Sequence, residues 1–184
     1  MPQINGQPDA TTTSKGKIQL AGGLRGTAIS PQLAAGTSVQ TVSTNFATSL
    51  TSTVILPHDD TIPTNTEGVE VMTQTITPLS MTNILVISFN VFASHSVATF
   101  ISSALYQDSG AAAIAASASY QTVATGTNVT SVTYRMVAGT TSPTTFRVRT
   151  GGNDTGTLTF NGANGGRRFG GISMSNITIT EVAV

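Results

Sequence analysis

"NILVISFNVF", residues 83 to 92, decides the fold. Alternate residues of an extended chain point to opposite faces, so Leu85, Ile87, Phe89 and Val91 share one side. Ile84 and Val86 lie on the other, which predicts a strand covered on both faces. Working outward, "VATFISSALYQ" (97–107) sets Val97, Ile101 and Leu105 against Phe100, Ala104 and Tyr106. "SVTYRMV" (131–137) groups Val132, Tyr134 and Met136 with Arg135 opposite. "TTFRVRT" (144–150) turns Phe146 and Val148 one way and Arg147 and Arg149 the other. "TLTF" (157–160) pairs Leu158 with Phe160, and "GISMSNITITEV" (171–182) sets Ile177 and Ile179 opposite Thr178 and Thr180. The alanine-rich "GAAAIAASASYQTVATG" (110–126) has helical propensity but no apolar face of 3.6-residue period, so it reads as strand plus loop. Six to eight short antiparallel strands, with no helices alternating between them, predict a sandwich or barrel.

Composition narrows the function. Charged residues make up 9% of the 184, against roughly 25% in ordinary soluble domains. The eight basic and eight acidic residues cancel. A neutral chain has no long-range field to gather nucleic acid, so that class of partner is disfavoured. Cysteine is absent, which excludes disulfides and thiolate metal sites. No charged segment followed by an apolar one opens the chain, so no ordinary signal peptide is expected. "NILVISFNVFA" is too short and too interrupted to cross a bilayer as a helix, and no membrane insertion is expected. Seven Phe, three Tyr and no Trp are few large anchors. Strands apolar on both faces therefore leave surface to bury, and symmetric self-association would bury it.

Residues 1–37 differ from the rest, with three prolines, six glycines and three of the eight basic residues. They are expected to form an extended N-terminal arm, with "KGKIQLAGGL" (15–24) as a short strand within it. Residues 38–184 form the β domain.

Chemistry-bearing groups are scarce. His58, Asp59 and Asp60 sit between Pro57 and Pro63, which predicts a solvated turn and no complete metal-ligand set. His95 has no nucleophile elbow nearby, and the acids are scattered, with Glu67 and Glu70 on opposite faces of one strand start. No catalytic residue, metal or cofactor is assigned, and the protein is expected not to be an enzyme. "FNGANGGRRFGG" (160–171) packs five glycines beside two arginines. A phosphate loop would open a helix, but this stretch leads into another strand, so it is expected to be a β–β connection. Asn161, Asn164, Arg167 and Arg168 are its candidate receptor-binding residues, aimed at an anionic or sugar ligand. An inter-subunit contact or a solvated tip is the competing role.

Several segments in order carry a resemblance. "KGKIQLAGGLRGTAISPQLAAGT" resembles a segment of bacteriophage tail-fibre and related virion proteins. "DDTIPTNTEGVEVMTQTITP", "AGTTSPTTFRVRTG", "TFNGANGGRRFGG" and "SNITITEV" resemble the globular domain that accompanies it. Such domains are jelly rolls of the C1q or tumour-necrosis-factor type. The resemblance implies an all-β antiparallel jelly-roll sandwich behind an extended arm, forming a homotrimer at a fibre end. It implies a structural virion protein, a tail fibre contributing to host-surface adsorption, joined to other virion proteins through residues 1–37. A host surface glycan is the partner class this implies. A head or neck fibre, or a capsid decoration protein with a stabilising role, is the alternative place on the particle. A stand-alone carbohydrate-binding module is the alternative of another class.

Overall fold

A computed structural model describes residues 24–27 and 30–184. The chain pairs β1 (Leu24–Thr27) with β2 (Ser30–Leu33) in a small antiparallel ribbon that sets Leu24 opposite Leu33. The strand expected at 15–24 lies outside the described residues except for Leu24. The sandwich begins with β3 (Ser38–Phe46), β4 (Leu50–Ser52), β5 (Val69–Ile76) and β6 (Ile84–His95). It continues through β7 (Thr99–Gln107), β8 (Ala115–Gln121), β9 (Thr127–Val137) and β10 (Thr144–Gly152). Then come β11 (Leu158–Phe160), β12 (Gly162–Ala163), β13 (Gly166–Arg167) and β14 (Ser175–Val182). Among the described residues the one helical piece is a 3-10 turn at Phe169–Gly171.

Two antiparallel sheets face each other. One runs β5-β10-β7-β8, and the other runs β3-β14-β6 with β9 on the far side of β6. Each of β5, β6, β9 and β10 is followed by a main strand in the opposite sheet, whereas β7 and β8 are neighbours within one sheet. This order is that of an eight-stranded jelly roll. β6 is long enough to use two partners on one edge: β14 covers Ile84–Asn90 and β11 takes over at Ala93–His95. The alanine-rich segment is β8 and loop, as its pattern predicts.

The core is the set of inward faces. Leu85, Ile87, Phe89 and Val91 are at most 3% exposed, and they meet Ile101, Leu105, Phe146 and Val148 from the opposite sheet. Ile177 and Ile179 of β14 complete the layer beside Leu158 and Phe160. Each such side chain contributes about 1.5–3 kcal/mol by leaving water. A bulge in β5 lets both Val71 and Met72 face inward, because the register steps from Val148↔Met72 to Arg149↔Glu70.

Two expectations need correction. β6 is not covered on both sides within one chain, since Ile84 and Val86 are only half buried. Among the eight main strands of the described residues it is β7 that is buried along most of both faces. Its second face carries Ala104 and Tyr106, which pack under Leu56 of the loop between β4 and β5. That loop is held by the Leu56 amide donating to Gly152 O at 3.0 Å. Val97 is exposed, because it falls in the β6–β7 connection before the strand starts.

Candidate functional site

The stretch 160–171 is a glycine-shaped connection at one end of the sandwich. β12 and β13 form a minimal hairpin with Gly162 opposite Arg167. A Cβ on Gly162 would lie 2.2 Å from Gly166 O, so no other residue fits there. Asn164 takes a φ of 51° at the exposed turn. Beyond it, Phe169 (φ 50°) and Ile172 are 74% and 75% exposed, beside the exposed Arg167 and Arg168. Arg167 also lines a cleft of about 540 Å³ with Thr48, Ser49 and Gly171.

The four candidate residues therefore separate. Asn164, Arg167 and Arg168 stand at the surface, whereas Asn161 is buried. Its Nδ2 donates to Phe46 O at 2.6 Å and its Oδ1 accepts from Ser175 Oγ at 2.7 Å. Its own amide donates to Phe92 O. Asn161 ties β3, β6 and β14 together beneath the tip. Its φ of 51° explains why Asn stands there, since its side chain meets two strands and its backbone N–H a third from a left-handed backbone.

The other polar motifs resolve into structure. Asp59 Oδ1 accepts from the Thr61 amide at 2.9 Å and the Thr61 hydroxyl at 2.6 Å, and these bonds hold its carboxyl below the usual range. His58 stacks on Phe100 with centroids 4.0 Å apart. Among the described residues no three His, Cys, Asp or Glu side chains converge on one point. His95 is buried at the end of β6 against Gly152, where a Cβ would come within 2.6 Å of its ring. Burial lowers its imidazole pKa, outweighing opposite effects from Val97 and Asp154. Glu70 lies on β5, whereas Glu67 precedes the strand and accepts from the Thr64 amide.

One feature escaped the pattern of the sequence. Glu181 is wholly buried in β14, where Leu79 and Ser80 amides, Gln40 and Asn83 all donate to its carboxylate. Nothing in "TITEV" marks it, because its donors lie about a hundred residues or more away in the chain. The outer face of the β3-β14-β6-β9 sheet is the one on which the alternation placed Ile84, Val86, Arg135, Thr178 and Thr180. Straight rungs cross it: Val182, Ile84 and Val137; Thr180, Val86 and Arg135; Asn176, Asn90 and Ser131. Thr41 extends the Thr180 rung, and Ser43 a further rung of Thr178, Ser88 and Thr133, through hydroxyl contacts to Thr180 and Thr178.

Residues 52–184 match the family model described as the Pgp3 C-terminal domain. Residues 8–88 match a second model, described as a repeat of unknown function. No curated protein matches the chain. Solved structures give distant likenesses. The Eiger TNF of S. frugiperda is 13% identical at a TM-score of 0.44, covering 78% of this chain and 93% of that one. The structure of infectious bursal disease virus is 10% identical at 0.38, covering 99% and 42%. The enzymatically active domain of bacteriophage CBA120 tailspike protein 4 is 11% identical at 0.28, covering 68% and 19%.

Proposed function

The chain belongs, through residues 52–184, to the Pgp3 C-terminal domain family, and we propose that it is a non-enzymatic homotrimeric jelly-roll subunit of a virion fibre that adsorbs to a host surface. The observation that carries the trimer is the outer face of the β3-β14-β6-β9 sheet. Its rungs hold half-buried Ile84, Val86 and Phe92 on β6 and exposed Val129 and Val137 on β9. Arg135 is the one charged side chain among the residues of those rungs. A sheet face so poor in charge is covered at little desolvation cost, and three copies around an axis cover it symmetrically. The fibre placement rests on the resemblance of the segments at 15–37, 59–78, 138–151, 159–171 and 175–182 to phage virion proteins. Attachment to the particle would run through residues 1–37, with the exposed tip at 164–172 pointing away from the body of the fold.

Native mass measurement tests the assembly. The wild-type chain should run as a trimer at micromolar concentration, and Val86→Glu should run as a folded monomer. A wild-type monomer would defeat the proposal. Labelling of intact particles should place the protein at the tail; a label at the neck or head would move it to the decoration role.

A further inference from the structure

We propose that a cleft on the outer face of the β5-β10-β7-β8 sheet binds a single neutral sugar residue. The proposal rests on the host-surface reading above and gives it a ligand class and a place other than the arginine tip. The cleft measures about 270 Å³ and is lined by Asn65, Glu70, Asp108, Ser109, Arg147 and Arg149. That is slightly below the range of about 300–1,000 Å³ for drug-sized ligands.

Its walls are fixed before any ligand arrives. Arg149 donates through Nε to Glu67 O at 2.8 Å and through Nη2 to Gly68 O at 2.7 Å, which sets the plane of its guanidinium. Arg147 donates through Nη1 to Asp108 O, and its Nε lies 3.7 Å from Glu70 Oε2. Asp108, with a φ of 49°, accepts the Thr145 amide on Oδ1 at 2.8 Å. Asn65 Nδ2 donates to Gly110 O at 3.3 Å. Beneath them Tyr106 is buried and donates to Thr64 O at 2.8 Å; burial pushes its phenol up to about 12, so it stays protonated.

The atoms left over define the ligand. Among the described residues Arg147 Nη2, Arg149 Nη1, Asp108 Oδ2, Asn65 Oδ1 and Ser109 Oγ make no hydrogen bond to another protein group and face the cleft and its solvent. Donors and acceptors are interleaved, four of the five side chains being held by the hydrogen bonds above, which suits neighbouring hydroxyls that each donate and accept. Two arginines and two carboxylates cancel, so an anion would meet Glu70 and Asp108 as well as the guanidiniums. A neutral polyhydroxylated ring makes the same bonds without that repulsion. In a trimer closed through the other sheet, this face stays outside.

A small polar ligand in an open cleft binds weakly, with a Kd on the order of 1 mM. The experiment is a 15N-amide titration of the full chain with glucose, galactose, mannose and N-acetylglucosamine at roughly 10 mM, about ten times that Kd. N-acetylneuraminic acid and inorganic phosphate serve as anionic probes. At least one neutral sugar should shift the amides of Asn65, Asp108, Ser109, Arg147 and Arg149 saturably. Ser109→Trp, which fills the cleft from an exposed position, should abolish the shifts. Glu70→Ala should raise the Kd at least threefold with thermal unfolding unchanged. Silence from every neutral sugar, shifts confined to 164–172, binding of the anions alone, or full affinity in both variants would each overturn the proposal. Absent sugar binding leaves the trimer measurement untouched, and a monomer that binds sugar leaves the cleft standing.

Discussion

Replacing Glu181 by Gln removes one charge and one acceptor from a carboxylate on β14 that organises the β5–β6 loop and β3. Oε1 takes the Leu79 amide at 2.9 Å, the Ser80 amide at 3.1 Å and Asn83 Nδ2 at 2.7 Å, while Oε2 takes Gln40 Nε2 at 2.5 Å. The amide nitrogen of Gln must replace one oxygen and face donors. Turning Gln40 to compensate would forfeit its bond to Thr77 O. Hydrogen bonds to a charged group contribute about 1.5–3 kcal/mol each, and a donor left buried without a partner costs about 1–3 kcal/mol. A loss of about 2–4 kcal/mol is expected, which lowers Tm by roughly 4–16 °C in a chain of this size. The pH dependence separates charge from shape. Burial pushes the Glu181 carboxyl up, but hydrogen bonds from Gln40, Leu79, Asn83 and Ser80 outweigh it and hold its pKa below the ordinary value. With the folded pKa below the unfolded one, the stabilisation is present above the unfolded value of about 4.3 and is lost as pH falls through the folded value. Denaturant unfolding of wild type and Glu181→Gln from pH 7 downward should therefore show a gap that is full at pH 7 and narrows below about 4.3. Hydrogen exchange at Leu79 and Ser80 should quicken in the variant. Equal stability at pH 7, or a gap unchanged on acidification, would refute the argument.

The other predictions address separate parts of the molecule. Asn161→Ala should lower stability by about 2–4 kcal/mol in denaturant melts, through lost bonds and a left-handed backbone that Ala disfavours; a stable variant with reduced adsorption would return Asn161 to the binding surface. Gly152→Ala should cost about 1–3 kcal/mol by driving the His95 ring out of place, visible as lost His95 packing contacts in NMR spectra. Because burial lowers the His95 pKa, its neutral form stabilises the fold above the ordinary value of about 6.5, and that share is lost as pH falls through the lower folded value; Glu181→Gln should keep this component of acid unfolding. Arg167→Ala with Arg168→Ala should reduce adsorption at unchanged trimer mass, and a failure to assemble would make the pair an interface element.

Period-2 patterning in residues 83–92 and 144–150 was enough to determine strands and an all-β sandwich, and at 144–150 the inward face as well, because alternation is a local property of an extended chain. At 83–92 both faces are apolar, and only the fold decides which is inward. The glycines of 162–171 likewise announced a connection, since a tight turn writes its demand for small residues into the segment itself. Pairing is different. That β14 lies between β3 and β6, that Leu56 covers Ala104 and Tyr106, and that Glu181 meets the amides of Leu79 and Ser80 are facts about residues far apart in the chain. The same holds for Asn161, which reads as a turn residue but becomes a buried tie once Phe46, Phe92 and Ser175 surround it. Arg147 and Arg149 showed in the sequence as the polar side of a strand, and the cleft they share with Asn65 and Asp108 exists only after the jelly roll brings β10 beside the ends of β5 and β7. Where one face is polar, local alternation decides which face of a strand is buried; long-range closure decides which polar groups are left pointing at one another.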